Sequence, residues 1–307
     1  MPRLPTTAAI CLVALASACA TGDTRKLPAG RGSQEIGLVR HTDEIGRQVS
    51  IPARPERIIS LAPSVTEILF MLGAGDRLIG VTSHCTWPAE ALAKPRVADL
   101  LNPNYERVLA ANPDLVIAST AGNDRTAVLK LAELGLQVYV TAPRTLDAIW
   151  DSVLAIGRIT GRSEAAAELV ERGRGRLDLV RERLAGLPST RALFITWFDP
   201  LLVPGKNTFE TSVLRSAGVD SISADVDEYY PRFSLEQILA RQPEVILTVE
   251  NMGQPLPDLR HLPGWRILEP VRKNRIHVLP EVLQHPSPRV VEGVEDLARR
   301  LHPERFP

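Results

Sequence analysis

The loop Thr82-Ser83-His84-Cys85-Thr86-Trp87-Pro88 puts an imidazole, a thiol and an indole within four residues, and His285 supplies a second imidazole far downstream. Imidazole and thiolate are good ligands for Zn, Fe or Co, and a Cys beside a His also invites a nucleophile and its base. Neither chemistry is supported by the spacing. An adjacent His-Cys pair matches no known metal motif, and sequence neighbours rarely satisfy the geometry of a base oriented by a third group next to an oxyanion hole. The chain has no Gly-rich phosphate loop, no G-x-S-x-G and no H-E-x-x-H. The expectation is a protein that is not an enzyme and binds no metal through its own residues alone. His84, Cys85 or His285 would then act only by reaching a bound ligand, while His41, His261, His277 and His302 are incidental.

Aromatics make up only 5% of the chain, so those in loops carry information. Trp87 and Tyr230 lie in polar, Pro-containing loops and are expected to touch a ligand. Trp197 and Phe198 follow a strand and join them as candidates. Trp150 and Trp265 sit in helical patterns and are assigned to the core.

One long helix is needed to position these loops. Over Ser163–Leu187, Ala166, Val170, Gly173, Leu177, Val180, Leu184 and Leu187 recur at steps of three and four, a single apolar stripe among charges. Such a helix would be about 35 Å long. On either side of it, short apolar runs alternate with helical patterns. Before it come strands at Ile58–Leu61, Leu78–Val81, Leu115–Ala118 and Val138–Val140, with a helix from Val65 to Leu72 that Ser64 and Glu67 would cap as a capping box. After Leu146–Ile159, a helix leading into the long one, come strands at Leu193–Thr196, Val245–Val249 and Ile276–Leu279. Gly264–Val271 and Arg289–Leu301 read as helices. The fold class is α/β, two Rossmann-like lobes bridged by a single long helix. Ligands in such sheets sit outside the carboxyl ends of the strands.

The halves repeat each other locally. Tyr105–Ile117 aligns without a gap on Leu235–Leu247 at an offset of 130 residues, each segment a helix, an X-Pro-acid turn and a buried strand. Glu106 and Glu236 fall at equivalent points.

With 36 basic and 36 acidic residues, the formal net charge is zero, which gives no electrostatic footprint for nucleic acid. The N-terminal stretch has Arg3, an apolar run from Ala8 to Leu15 and small residues leading to Cys19, the pattern of a secretory signal. Leu15-Ala16-Ser17-Ala18-Cys19 reads as a lipobox, so cleavage before Cys19 and its acylation are expected. Cys85 is then left without a partner for a disulfide. The organisation expected is a signal at 1–18, a tether and entry segment at 19–54, an N-terminal lobe at 55–145, the connecting helix and rod at 146–188 and a C-terminal lobe at 189–307.

PERIISLAPSVTEILFMLGAGDRLIGVTSHCTWP, NPNYERVLAANPDLVIAS, PGKNTFETSVLRSAG, SLEQILARQPEVIL and SPRVVEGVEDLARRL, in this order, resemble the periplasmic substrate-binding proteins of ABC importers for cobalamin, iron siderophores and haem, most of all the cobalamin binders. The resemblance runs from about Pro55 to His302. It implies two lobes on a rigid helix with small movement on ligand binding, a corrinoid held between them, and no cofactor besides that transported chelate. It also implies delivery to an ABC permease dimer with its ATPase by an extracytoplasmic, lipid-anchored monomer that binds no nucleic acid. A ferric siderophore or haem is the alternative cargo, and a surface receptor or hydrolase on the same scaffold a more distant one. Glu106 and Glu236 correspond to the acidic lobe tips that family members present to permease arginines. Trp87 and Tyr230 correspond to cleft aromatics, with Trp197 and Phe198 near a third. Leu100 and Ser119 stand where cobalamin binders carry further aromatics, and Glu281 and His285 where the best-known member has an acid and an arginine.

Overall fold

The computed structural model describes residues 37–99, 102–250 and 256–306. The signal, Cys19, most of the tether and Leu100 lie outside the described residues.

The chain enters as a hairpin, β1 (Leu38–Thr42) paired antiparallel with β2 (Gln48–Pro52). Asp43 closes the turn: its carboxylate accepts from the Ile45 and Arg47 backbone N–H groups and from the Arg47 side chain. The first sheet is built from β3 (Ile58–Ser60), α1 (Pro63–Met71), β4 (Leu78–Thr82), β5 (Arg96–Ala98), α2 (Tyr105–Ala110), β6 (Leu115–Ser119), α3 (Arg125–Glu133) and β7 (Val138–Thr141). Its order is β5-β4-β3-β6-β7, all parallel. Two helices follow, α4 (Leu146–Ile159) and α5 (Ser163–Leu184). The second sheet comes from β8 (Thr190–Phe194), α6 (Phe209–Ser216), β9 (Val219–Ser221), α7 (Leu235–Arg241), β10 (Val245–Val249), α8 (Glu269–Arg272), β11 (Ile276–Leu279) and α9 (Val290–Leu301). Its order is β11-β10-β8-β9, again all parallel. In each sheet the strand order reverses once, between β3 and β6 and between β8 and β10. Ligands of open α/β sheets bind at such switch points.

The residues of α5 that are buried are Ala166, Leu169, Val170, Gly173, Leu177 and Val180, the expected stripe as far as Val180 with Leu169 added, whereas Leu184 and Leu187 are only half-buried. The helix stops at Leu184, and Gly186 makes the turn at φ +81°. It lies against α4 on one side and α6 and α9 on the other, with Arg176 clamping Glu295 of α9 through two bonds of 2.8 and 2.7 Å. Gly173 is required by close approach, since a Cβ there would run into the Trp150 ring of α4. Trp150 itself is 1% exposed, as expected of a core residue. A single apolar cluster includes buried residues from both sheets, α4, α5 and α9.

Three local expectations are corrected. Helix α1 begins at Pro63 with Ala62 as N-cap and no side-chain cap, because proline suits the first helical position, where no N–H is needed. Ser64 and Glu67 therefore form no capping box. Gly264–Val271 is split into a 3-10 turn at Trp265–Ile267 and the single turn of α8, because Leu268 is extended ahead of Pro270. The three-residue strands β5 and β9 are too short to show a period and add to the strands expected from the sequence.

Candidate ligand cleft

A cavity of about 720 Å³ opens at the carboxyl ends of the two sheets. Thr120, Ala121 and Gly122 line it from the loop after β6, and Pro143 and Arg144 from the loop after β7. From the second half, Thr196 follows β8, Phe209 and Glu210 start α6, and Tyr229 and Tyr230 come from the loop before α7. Gln284 and Pro286 complete the wall. A smaller cavity of about 390 Å³ takes Trp87, Glu281, His285 and Arg289 among its lining residues. His285 lies between Gln284 and Pro286 in sequence, so one short segment contributes to both cavities.

The polar centre of the larger cavity is Glu210, only 5% exposed. Its carboxylate accepts the Tyr230 hydroxyl, with O–O distances of 2.9 and 3.2 Å. Burial pushes the Glu210 carboxyl above the usual carboxylate range, against the opposing pull of its hydrogen bonds. Burial and the neighbouring Glu210 charge raise the Tyr230 phenol well above its ordinary value, so it stays a donor. Tyr229 meets Tyr230 edge to face, with ring centroids 4.9 Å apart. Thr196 brings a hydroxyl that is buried and has no hydrogen-bond partner among the described residues.

The smaller cavity is backed by an ionic cluster that joins α1 to the C-terminal residues. Glu67, 2% exposed, accepts the Ser287 hydroxyl and faces His285 Nδ1 at 3.2 Å and an Arg289 guanidinium nitrogen at 3.4 Å. Glu281 reaches the other ring nitrogen of His285 at 3.4 Å. Burial alone would lower the His285 pKa, but the hydrogen bond and charge of Glu67, with Glu281 behind them, outweigh it and leave the imidazole above its ordinary value. The Arg289 guanidinium stacks over the Trp87 ring, 4.4 Å from its centroid.

The sequence-chosen residues therefore separate into groups. Tyr230 lines the larger cavity, and Trp87, Glu281 and His285 line the smaller one. His84 is exposed and turned to Ser83 and Asp99, each 3.1 Å from its Nδ1. Cys85 is the clearest correction: at 1% exposure it is packed in the core, with Sγ 3.1 Å from the Thr66 hydroxyl and 3.2 Å from that of Thr82. A thiol so placed cannot reach a ligand in either cavity. Trp197 and Phe198 are not among the described residues that line the larger cavity. Trp197 donates its indole N–H to the Asp199 carbonyl, and Phe198 packs against Trp265 with ring centroids 5.5 Å apart. The Asp-Pro turn after β8 folds these rings onto the C-terminal half. Ser119 is buried.

Glu106 and Glu236 are both exposed, each the second residue of its helix. Asn104 caps α2 by accepting from the Arg107 N–H, and Ser234 caps α7 by accepting from that of Gln237. Acidic side chains are favoured there by the helix dipole.

Sequence reasoning passed over Glu210, Tyr229, Thr196, Arg144 and the Glu67 cluster. The aromatic loop gave a signal for Tyr229. For Glu210 there was none, since an acid in the first turn of an amphipathic helix reads as solvated. Among the described residues, no group of three or more His, Cys, Asp or Glu could hold a metal ion, and no helix is long and apolar enough to cross a membrane.

Two parallel α/β sheets with a cleft at their carboxyl ends and a long helix beside both define a solute-binding architecture. The sequence signature described as "Periplasmic binding protein" matches residues 58–283, and the chain belongs to that family, whose members work outside the cytoplasm. Its relatives include the vitamin B12-binding protein of Vibrio cholerae, 32% identical over 257 residues that cover 82% of this chain and 92% of that protein. They also include the uncharacterized ABC transporter substrate-binding lipoprotein YvrC of Bacillus subtilis, 29% identical, with 97% of each chain covered. Among solved structures, the periplasmic vitamin B12 binding protein BtuF of Vibrio cholerae superposes with a TM-score of 0.71 at 31% identity, over 82% of this chain and 99% of that one. These relatives are binding proteins rather than enzymes.

Proposed function

We propose that this protein captures a corrinoid in the cavity at the carboxyl ends of its two sheets and hands it to an ABC permease. The observation that carries the reading is the cavity itself. It is about 720 Å³, has the Tyr229–Tyr230 pair on one wall and is lined by loops of both halves, which suits a large, flat, partly apolar ligand. The reading is supported by the V. cholerae relative named for vitamin B12, which aligns with 82% of this chain. Tyr230 contacts the ring in this reading. Trp87, His285 and Glu281 contact the part of the ligand that extends into the smaller cavity. His84 stands outside both cavities.

Docking would use Glu106 and Glu236, the matched carboxylates on α2 and α7, against permease arginines, which take carboxylates in bidentate geometry. Acylated Cys19 would hold the protein at the membrane, in keeping with the lipoprotein name of the B. subtilis relative. The domain division in this reading is an N-terminal lobe at 55–145, the connecting helices at 146–188 and a C-terminal lobe at 189–307, which the presence of two separate parallel sheets supports.

The test is calorimetric titration of the purified protein with cyanocobalamin, haemin and a ferric siderophore. Saturable heat with cyanocobalamin is expected, and Tyr230→Ala should weaken it about tenfold to a hundredfold. Binding of haemin or the siderophore with no response to cyanocobalamin would replace the corrinoid. For delivery, Glu106→Arg with Glu236→Arg should abolish uptake in cells while leaving affinity unchanged. Unimpaired uptake would remove docking from these residues.

A further inference from the structure

We propose that Glu210, with Arg144 and Thr196, makes the cleft a reader of carboxamides, selecting ligands whose periphery is amidated over those whose periphery carries free carboxylates. The proposal rests on the corrinoid reading and assigns the residues that enforce its choice.

The geometry begins with a carboxylate in an unusual place. Glu210 sits in the first turn of α6, is 5% exposed, and still lines the larger cavity. A buried carboxylate needs partners, and among the described residues its side-chain donor is the Tyr230 hydroxyl, shared between its two oxygens. A carboxylate accepts at about four lone-pair positions, so capacity remains toward the cavity for N–H groups. The tyrosine also fixes the carboxylate's orientation, because phenol and acid lock each other in place.

Thr196 provides the second, independent observation. Its Oγ is buried, the residue lines the same cavity, and the hydroxyl has no hydrogen-bond partner among the described residues. A buried hydroxyl left unpaired costs stability unless something satisfies it. A polar group of the ligand is the natural partner.

Arg144 completes the set from the other half of the chain. It lines the cavity, and Tyr229 feels Arg144 and Glu210 as opposed charges. The wall thus presents an acceptor and a donor together. A primary amide is both: its N–H2 can donate to Glu210 and its carbonyl can accept from Arg144, with the Thr196 hydroxyl available to either. A ligand carboxylate would satisfy Arg144 but would meet Glu210 as a like charge in a partly desolvated site, where repulsion is weakly screened.

The experiment compares cobyric acid, a corrinoid with all but one of its edge carboxyls amidated, with cobyrinic acid, the same ring with free carboxylates at every one of those positions. Affinities are measured by calorimetry on the full-length protein, with cyanocobalamin as reference. The wild-type protein should prefer cobyric acid by tenfold or more. Glu210→Gln removes the negative charge while keeping the shape, and should bring that preference to within about threefold, mainly by admitting cobyrinic acid. Thr196→Val should weaken cobyric acid severalfold, and near-wild-type melting temperatures for both variants would establish that they are folded. A Glu210→Gln protein that keeps the full wild-type preference overturns the proposal while leaving corrinoid capture intact. A wild-type protein that binds none of the three corrinoids overturns the functional reading itself.

Discussion

The two halves are most alike where they are furthest from the cleft and least alike where they border it. In the first half, Asn112 turns the chain at φ +46° between α2 and β6; in the second, Gln242 does so at φ +47° between α7 and β10. Two residues on, Asp114 accepts the backbone N–H groups of Glu56 and Arg57, and Glu244 accepts that of Arg191. Arg57, just before β3, and Arg191, the second residue of β8, donate their side chains back to carbonyls at the end of the helix. The same clasp, made from the same residue types, thus closes both units. At the cleft the resemblance ends. The first half offers backbone, small side chains and Arg144, whereas the second offers two tyrosines, Phe209 and a buried carboxylate. Strand-to-strand register can be duplicated because it depends on backbone bonds and apolar volume. The loops beyond the strands are free to diverge, and ligand choice resides there.

The comparison can be broken most severely at the helices both halves share. Trp150→Ala should cost about 3–5 kcal/mol, seen in denaturant titration as one transition moved to lower concentration. Two separated transitions would mean that the halves melt independently. Next in size is Glu67→Ala, which strips His285, Ser287 and Arg289 of their common partner and should cost about 3 kcal/mol. The same site sets a pH dependence. Because the folded-state pKa of His285 is raised above its ordinary 6.5, its contribution is complete below that value and is lost as pH rises through the folded pKa. Melting temperatures taken upward from pH 6 should therefore fall in the wild type and be flatter in Glu67→Ala.

Smaller effects sharpen the likeness. Asp114→Ala and Glu244→Ala should each cost about 1 kcal/mol, equal within error if the clasps are equivalent; a twofold disparity would show that one half depends on its clasp more than the other. Glu106→Ala and Glu236→Ala should change stability least, because a helix-dipole interaction at a fully exposed position is screened by solvent, and a loss of uptake in either variant belongs to docking.

Most of the fold was legible in the sequence for physical reasons. Helix α4 and strands β10 and β11 fall at the limits their apolar periods predict, and the α5 stripe is the buried face. The duplicated Glu106 and Glu236 segments could be aligned because the turn chemistry at Asn112-Pro113 and Gln242-Pro243 is local. The site was less legible, since its members meet across long sequence separations. Glu67 looked like a cap because Ser64 stood three residues before it, and only the folded chain shows its carboxylate turned toward Ser287. Cys85 was a candidate ligand contact because it shares a loop with His84 and Trp87, yet that loop folds the thiol beneath Thr66 and Thr82 while leaving His84 outside. Periodicity reports which face of an element is apolar, and says nothing of which loop residue turns inward.

Where α4 meets α5, the spacing is set by an absence of side chain. A Cβ on Gly157 would collide with Ala166, and one on Gly173 with Trp150, so the two helices mesh like a key and its lock. Sliding one along the other by a single residue would drive a side chain into each notch. Shear is therefore closed along this seam, and adjustment between the halves is left to small rotations in the segments that enter α4 and leave α5.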